Sequence, residues 1–268
     1  MKAELSNAQI EYVKKEEAER RFIFFARILI FIGFLCIWEV LVSTGIIDSF
    51  FYSSPLRILS LLYKKIMDFT IFYHIYITLL ETIISFILIN VISILVAIIL
   101  LSFKKISAIT EPYLVVLNAL PKSALAPLII VWLGTGTKTI IIAGISVAVF
   151  GSIMNLYSGF KQVDREKIKL IKTLGGTKKD EILKIIIPSS IPVIISNMKV
   201  NIGLALVGVI IGEFLAARNG LGYLIIYGSQ VFQLDLLILS IVILCIIAML
   251  LYKGISYLEN KIMKSGLF

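Results

Sequence analysis

The chain has 268 residues, of which 59% are hydrophobic and only 16% charged, and its mean hydropathy is +1.00. A soluble chain of this length needs far more polar surface to cover its core, so the composition points to a membrane protein. The formal net charge of +9 does not indicate nucleic acid, because the basic residues sit between apolar runs and no basic stripe is interleaved with aromatics.

Residues 1–21 are of mixed charge, lack an apolar h-region and show no small-residue cleavage site. They read as a cytoplasmic segment rather than a cleaved signal peptide. Six apolar runs follow, at 22–42, 75–103, 108–133, 139–159, 190–216 and 234–257. Each is close to or above the roughly 20 residues that a spanning helix needs. Residues 22–258 therefore read as one transmembrane domain, with 259–268 as a short cytoplasmic tail. An even number of spans puts both termini on one side. With the termini inside, 19 Lys and Arg fall inside and five outside, while Lys122 and Lys199 lie at membrane depth. That asymmetry predicts an N-in, C-in orientation. Cys36 and Cys245 both lie within apolar runs and read as small buried hydrophobes, not as a disulfide or metal site.

After the first run, Ser54-Pro55 has the form of an N-cap with proline at the first helical position. Apolar residues follow at 59, 62, 63, 66 and 69, opposite Arg57, Ser60, Lys64 and Asp68. This spacing predicts a short amphipathic helix, either in the outer interface or packed on the end of the bundle. Glu39 and Glu81 stand near span ends and read as residues satisfied by the bundle, and His74, at the entrance to the second span, reads as an interfacial or packed residue.

The third run carries Asn118, Pro121, Lys122 and Pro127. Freed backbone groups at prolines are tolerated at membrane depth only where protein or water satisfies them. Asn118 and Lys122 are therefore candidates for the solute route, against a plain structural or snorkelling role for the lysine. The stretch Gly134-Thr135-Gly136-Thr137-Lys138-Thr139 is not a phosphate loop, because no glycine directly precedes the lysine. No metal-ligand spacing or nucleophile triad can be assembled, so no catalytic function is expected.

Residues 161–188 are a charged island between two apolar runs and hold eight of the 26 Lys and Arg. Val163, Ile168, Ile171 and Leu174 recur at helical intervals and Gly175-Gly176 follows, as at a left-handed helix end. Thr177 and Asp180 fit a capping box that opens a second apolar helix, until Pro188 and Pro192 interrupt it. The expectation is a short helix, a glycine hinge, and a second helix feeding the fifth span.

In that fifth run Lys199, Asn201 and Glu213 are further candidates for the solute route, with pairing to Arg218 as the simpler reading of Glu213. Gly208 and Gly212 form a G-x-x-x-G suited to close helix approach, at a homodimer or gate surface. Gly220, Gly222 and Gly228 mark a bent segment, Leu221 to Phe232, suited to capping a pathway.

Gly175, then nine residues, then Ile185, Ile187 and Pro188 resemble the G-x9-I-x-L-P signature of permease subunits of ATP-binding cassette importers. SPLRIL at 54–59, LPKSALAPLIIVWLGTGTKT at 120–139 and GEFLAARNGLGYLIIYGSQVF at 212–232 resemble the nitrate, sulfonate and taurine branch. One departure stands out: the family's Glu-Ala-Ala positions are Lys169, Leu170 and Ile171 here. The resemblance implies an all-α membrane protein of about six transmembrane helices, a type I importer permease with a cytoplasmic coupling helix. It implies that Lys169, Leu170, Ile171, Leu174, Gly175, Gly176, Ile185, Ile187 and Pro188 form the contact that couples to the ATPase, with Gly175 as a steric pivot. It also implies a second permease chain, two ATPase subunits that bind ATP and Mg, and an external solute-binding protein. On this reading the chain itself binds no cofactor. Its solute is nitrate, a sulfonate, taurine or a similar anion, with a thiamine precursor, riboflavin or another heterocycle as the alternative. A free-standing secondary transporter would show internal repeats and paired intramembrane charges, and no convincing repeat is found. A membrane scaffold or anchoring subunit is the remaining alternative, distinguished by the absence of a neighbouring ATPase gene.

Overall fold

The computed structural model describes the backbone of residues 7–264, without the side chains of 7–11, 13, 14, 263 and 264. Lys2 and the side chains of Lys14 and Lys264, all part of the charge tally, lie outside the described residues, as do 1–6 and 265–268 of the two terminal segments. The chain forms two compact units, one ending at Tyr63 and the other beginning at Lys64.

The first unit contains α1 (Asn7–Ser43), α2 (Ser49–Tyr52) and the start of α3 (Pro55–Met67). The expected cap of α3 is present: the Arg57 backbone N–H donates to the Ser54 hydroxyl at 3.3 Å. Glu39, near the end of α1, accepts the Leu56 N–H at 3.0 Å, so this carboxylate is satisfied by an orphan donor of the next helix.

The second unit contains α4 (Thr70–Ser102), α5 (Lys104–Ala119), α6 (Lys122–Leu133), α7 (Thr137–Lys161), α8 (Arg165–Thr173) and α9 (Lys178–Asp180). A π-helical turn at Glu181–Ile186 leads to α10 (Ile187–Ser189), α11 (Ile191–Ala216), α12 (Leu221–Gln230) and α13 (Leu234–Lys264). No strand occurs among the described residues. Helices α4, α7 and α11 pack together as the centre of this unit. Their polarity is inside out. On α4, Thr78, Thr82, Ser85 and Ser93 are buried, whereas Ile83, Ile87, Val91, Leu95 and Ile99 are exposed at four-residue steps. A lipid solvent produces this pattern, since an exposed apolar stripe costs nothing there and polar groups must find partners within the bundle.

Two glycines decide how close α7 and α11 come. A Cβ on Gly208 would fall 2.8 Å from Gly144 Cα, and one on Gly212 would fall 3.0 Å from Ile140 Cα. The G-x-x-x-G of α11 is thus used against α7 of the same chain rather than at the homodimer or gate surface expected for it.

The third apolar run also departs from expectation. It is two helices, α5 and α6, that meet at 97°. Pro121 sits at the junction, and Leu120 before it is extended (φ −61°, ψ 137°), as the steric demand of a following proline requires. The described residues hold five helices long and apolar enough to span, or six if the bent pair counts as one. Cys36 and Cys245 are free but exposed rather than buried, since a thiol facing lipid behaves as a small hydrophobe equally well.

Candidate functional site

The island at 161–188 folds as an elbow. Asp164 caps α8 by accepting the Glu166 N–H at 2.8 Å. At the other end of α8 the Gly176 N–H donates to the Ile171 carbonyl at 2.8 Å and the Gly175 N–H to the Lys172 carbonyl at 3.0 Å. This is a Schellman ending, and Gly175 takes the left-handed conformation it needs, at φ +78°. A Cβ on Gly175 would meet nothing within 4 Å, whereas one on Gly176 would fall 2.8 Å from the Ile171 carbonyl oxygen. The constraint at Gly175 is therefore backbone conformation, not the steric crowding expected there, and the crowded glycine is its neighbour. Thr177 and Asp180 complete the expected capping box, with the Thr177 N–H donating to Asp180 at 3.0 Å. Lys184, 2.7 Å away, together with Thr177, holds the Asp180 carboxyl well below the usual carboxylate range.

The elbow is anchored on one side and bare on the other. Ile168 and Ile187 pack on a core of Ala97, Leu156, Phe160, Ile182 and Ile186. Lys178 donates to the Ser102 carbonyl at 3.0 Å, which ties the elbow to the end of α4. Lys172 and Glu181 pair at 3.3 Å across the hinge. Opposite this anchor Leu170 is 62% and Leu174 77% exposed, on a helix otherwise rich in charge. Lys169, also exposed, pairs with Glu166 at 3.0 Å. Ile171, Ile185 and Pro188 are partly buried at the fold of the elbow.

The five candidates for the solute route do not converge on one place. Asn201 is buried in a polar chain that joins three helices: its side-chain amide donates to Asn90 on α4 at 2.9 Å and to Ser152 on α7 at 3.0 Å. Asn197 donates to the same Ser152 at 2.7 Å and accepts from Asn155 at 2.9 Å. Lys199 is paired with Glu259 on α13. Lys122 donates to the Leu117 carbonyl at 2.5 Å across the Pro121 bend and lies over the Phe150 ring. Asn118, at the same bend, is exposed beside Gly151 of α7. Lys122, Asn118 and Asn201 meet three successive residues of α7, Phe150, Gly151 and Ser152, whereas Lys199 and Glu213 are held elsewhere.

Glu213 belongs to the opposite end of the bundle from the elbow. It does not pair with Arg218. Its carboxylate accepts the Thr78 hydroxyl at 2.7 Å and the Gly222 N–H at 2.5 Å. Thr78 accepts the Leu221 N–H at 2.8 Å, and His74 accepts the Gly220 N–H at 3.0 Å through Nδ1. Three free donors at the start of α12 are thus met by side chains from α4 and α11. Gly220 and Gly222 are required because a Cβ on either would run into the Glu213 side chain. Glu81, 1% exposed, lies beside the Glu213 carboxyl and Thr137, its polar neighbours within the bundle. Sequence reasoning missed the Asn90, Ser152 and Asn197 chain and the Thr78 lock. Polar residues inside an apolar run were the available signal, but a run contains several and does not say which of them meet.

Residues 89–258 match the family described as binding-protein-dependent transport system inner membrane component. The chain belongs to that family. It is the permease subunit of an ATP-binding cassette importer, a multi-pass protein of the inner membrane and a transport component. An ABC transporter permease protein of Haemophilus influenzae is 27% identical over 85% of this chain and 92% of its own length. A Bacillus subtilis permease protein named for aliphatic sulfonates transport is 24% identical over 98% of this chain and 97% of its own. The taurine transport system permease protein TauC of Escherichia coli is 24% identical over 85% of each chain. Among solved structures, a chain of the MetNI methionine ABC transporter superposes with a TM-score of 0.63 at 16% identity, over 73% of this chain and 97% of that one. This last likeness is one of fold.

Proposed function

We infer that the permease pairs with a second permease chain to form the route for a small sulfonate, taurine or similar solute handed over by an external binding protein. The elbow faces the cytoplasm and docks on an ATPase subunit, one for each permease, that binds ATP and Mg and hydrolyses the nucleotide. The observation that carries this reading is the bare Leu170 and Leu174 on a helix whose other side is locked to the bundle. Apolar side chains this exposed on a charged, water-facing helix mark a protein contact. A helix capped at both ends transmits displacement as a rigid body, and the Lys178 and Ile168 contacts deliver it to α4 and α7. The sulfonate and taurine names of relatives support the solute class.

Co-expression with the neighbouring ATPase tests the coupling. The two proteins copurify, and Leu170→Asp with Leu174→Asp abolishes the association while leaving membrane insertion intact. Association undiminished in that variant refutes the docking surface. Reporter fusions within 165–187 read as cytoplasmic. Ligand thermal shift on the neighbouring binding protein identifies the solute.

A further inference from the structure

At the break between α5 and α6, Asn118 and Lys122 stand four residues apart and both lie against α7. A Cβ on Gly151 would fall 3.0 Å from the Asn118 side-chain oxygen, so this amide is seated over the glycine. The Lys122 ammonium is 5.3 Å from the centre of the Phe150 ring. These contacts fix the depth of both side chains. Because α7 runs from Thr137 to Lys161, Gly151 lies about 15 Å along the axis from one end and about 21 Å from the other. In a hydrocarbon layer about 30 Å thick, that is near the midplane.

Neither group is satisfied at that depth. Lys122 spends one of its three donors on the Leu117 carbonyl, and both that carbonyl and the ring are neutral. Helices α6 and α7 contain no acidic residue, and Glu111 of α5 stands seven residues before Asn118. The carboxylates of the other helices are engaged elsewhere: Glu259 with Lys199, and Glu213 and Glu81 with each other near the start of α12. The Asn118 side chain makes no hydrogen bond among the described residues, and it is exposed, while Lys122 is half-buried. A snorkelling lysine would carry its ammonium to an interface. This one is tied back to Leu117 and held at the level of Phe150. Hydrocarbon satisfies neither an amide nor an ammonium, so the face they share borders an aqueous route. A sulfonate or carboxylate there supplies the missing negative charge and also accepts from the amide. A neutral heterocycle leaves the ammonium uncompensated.

We propose that Lys122 and Asn118 form a midplane station of the solute route, where the ammonium and the amide together bind the sulfonate or carboxylate group of a small organic anion. The proposal rests on the importer reading above and adds to it the residues that recognise the anionic group and their depth. Headgroups of anionic lipids lie at the surface of the bilayer, so the ligand at this depth is the solute.

The test uses the permease assembled with its ATPase in nanodiscs, carrying Cys36→Ala, Cys245→Ala and Asn118→Cys. The probes are two thiol reagents, sulfonatoethyl methanethiosulfonate and trimethylammonioethyl methanethiosulfonate, each rate being divided by that for a free thiol in solution. Position 118 is modified from water in the nucleotide-free or the ATP-bound complex, and the sulfonate reagent is preferred by about tenfold, as a nearby cation requires. Excess ethanesulfonate slows the modification severalfold and uncharged ethanesulfonamide does not. Lys122→Gln removes both the preference and the protection, whereas Lys122→Arg keeps them. Reactivity, preference and protection are read first with Lys122 intact, so poor assembly of Lys122→Gln leaves the test open. A thiol that neither reagent reaches in either state marks a residue sealed in lipid or against the second permease chain, and overturns the proposal. Equal normalised rates, equal effects of the two competitors, or a preference unchanged in Lys122→Gln overturn it as well. ATP hydrolysis by the same preparation separates the two readings: an assembled, hydrolysing complex without the anion preference sinks only the station, whereas failure to assemble with any ATPase sinks the importer coupling itself.

Discussion

Glu213 near the end of α11 accepts the backbone N–H of Gly222 at 2.5 Å and so holds the first turn of α12 against the bundle. The bond requires a glycine at 222, since a Cβ there would fall 2.8 Å from the Glu213 carboxylate. Glu213→Ala leaves the Gly222 N–H and the Thr78 hydroxyl without their acceptor. A lost bond to a charged group costs about 1.5–3 kcal/mol. The variant therefore unfolds at lower temperature in detergent and is cleaved faster by protease at 217–221, while association with the ATPase at the distant elbow is unchanged.

Gly175 is the second test. Because its requirement is φ +78° with open space around the Cβ, Gly175→Asn is tolerated and Gly175→Val is not. Asn enters the left-handed region readily, and a β-branched residue there is an outlier. Membrane insertion stays normal in both. Transport coupled to ATP hydrolysis survives in Gly175→Asn and falls in Gly175→Val. Equal loss in the two variants would return the argument to crowding.

Lys169 faces solvent in an exposed pair with Glu166. Such pairs contribute under about 1 kcal/mol to stability, so Lys169→Glu leaves the fold unchanged. Lys169 stands where the resembled signature has a glutamate, so we expect an acidic group opposite it on the cognate ATPase. Lys169→Glu therefore weakens association by severalfold, read by titration of the two purified components. Unchanged or tighter association contradicts this complementarity.

Asn201 bridges α4, α7 and α11 through two hydrogen bonds. Interhelical bonds within a membrane average about 0.6 and reach about 1.7 kcal/mol each. Asn201→Ala lowers stability by about 1–3 kcal/mol, read by denaturant titration in micelles. Uptake per folded complex changes less than twofold if the residue is structural. A larger change at unaltered stability would restore it to the solute route.

The Asp180 cap predicts a pH response. Its carboxyl is held low in the folded chain by Lys184 and Thr177. The stabilisation is therefore complete above the unfolded value of about 3.9 and is lost only as pH falls through the lower folded value. Amide exchange protection at 178–181, corrected for the intrinsic rate, is flat from pH 8 to pH 5 in the wild type. It is reduced throughout that window in Asp180→Asn.

The elbow was legible in the sequence because its determinants are local. The Schellman bonds close between Ile171 and Gly176, and the capping box between Thr177 and Asp180. A few adjacent residues suffice to specify such turns, whatever the rest of the chain does. The bend in the third run was only half legible. Pro121 announces an interruption, but a proline permits a kink as readily as a break, and 97° is set by what the two helices pack on. The fates of Glu213 and Glu81 were not legible at all. Both are single carboxylates in apolar runs, yet Thr78 and Gly222 converge on one and not on the other.

Composition and the spacing of apolar runs by themselves determined that this chain belongs in a bilayer, how many times it can cross, and where its water-facing elbow lies. Those properties depend on solvent transfer and on contacts within one turn of helix. Only the tertiary structure decided that Gly208 and Gly212 serve α7, that Asn201 is a bridge, and that Glu81 and Glu213 come to lie side by side. Each of these depends on pairing between segments far apart in the chain, such as Asn90 with Asn201. In lipid, any polar side chain must find a partner, and helix packing chooses which one.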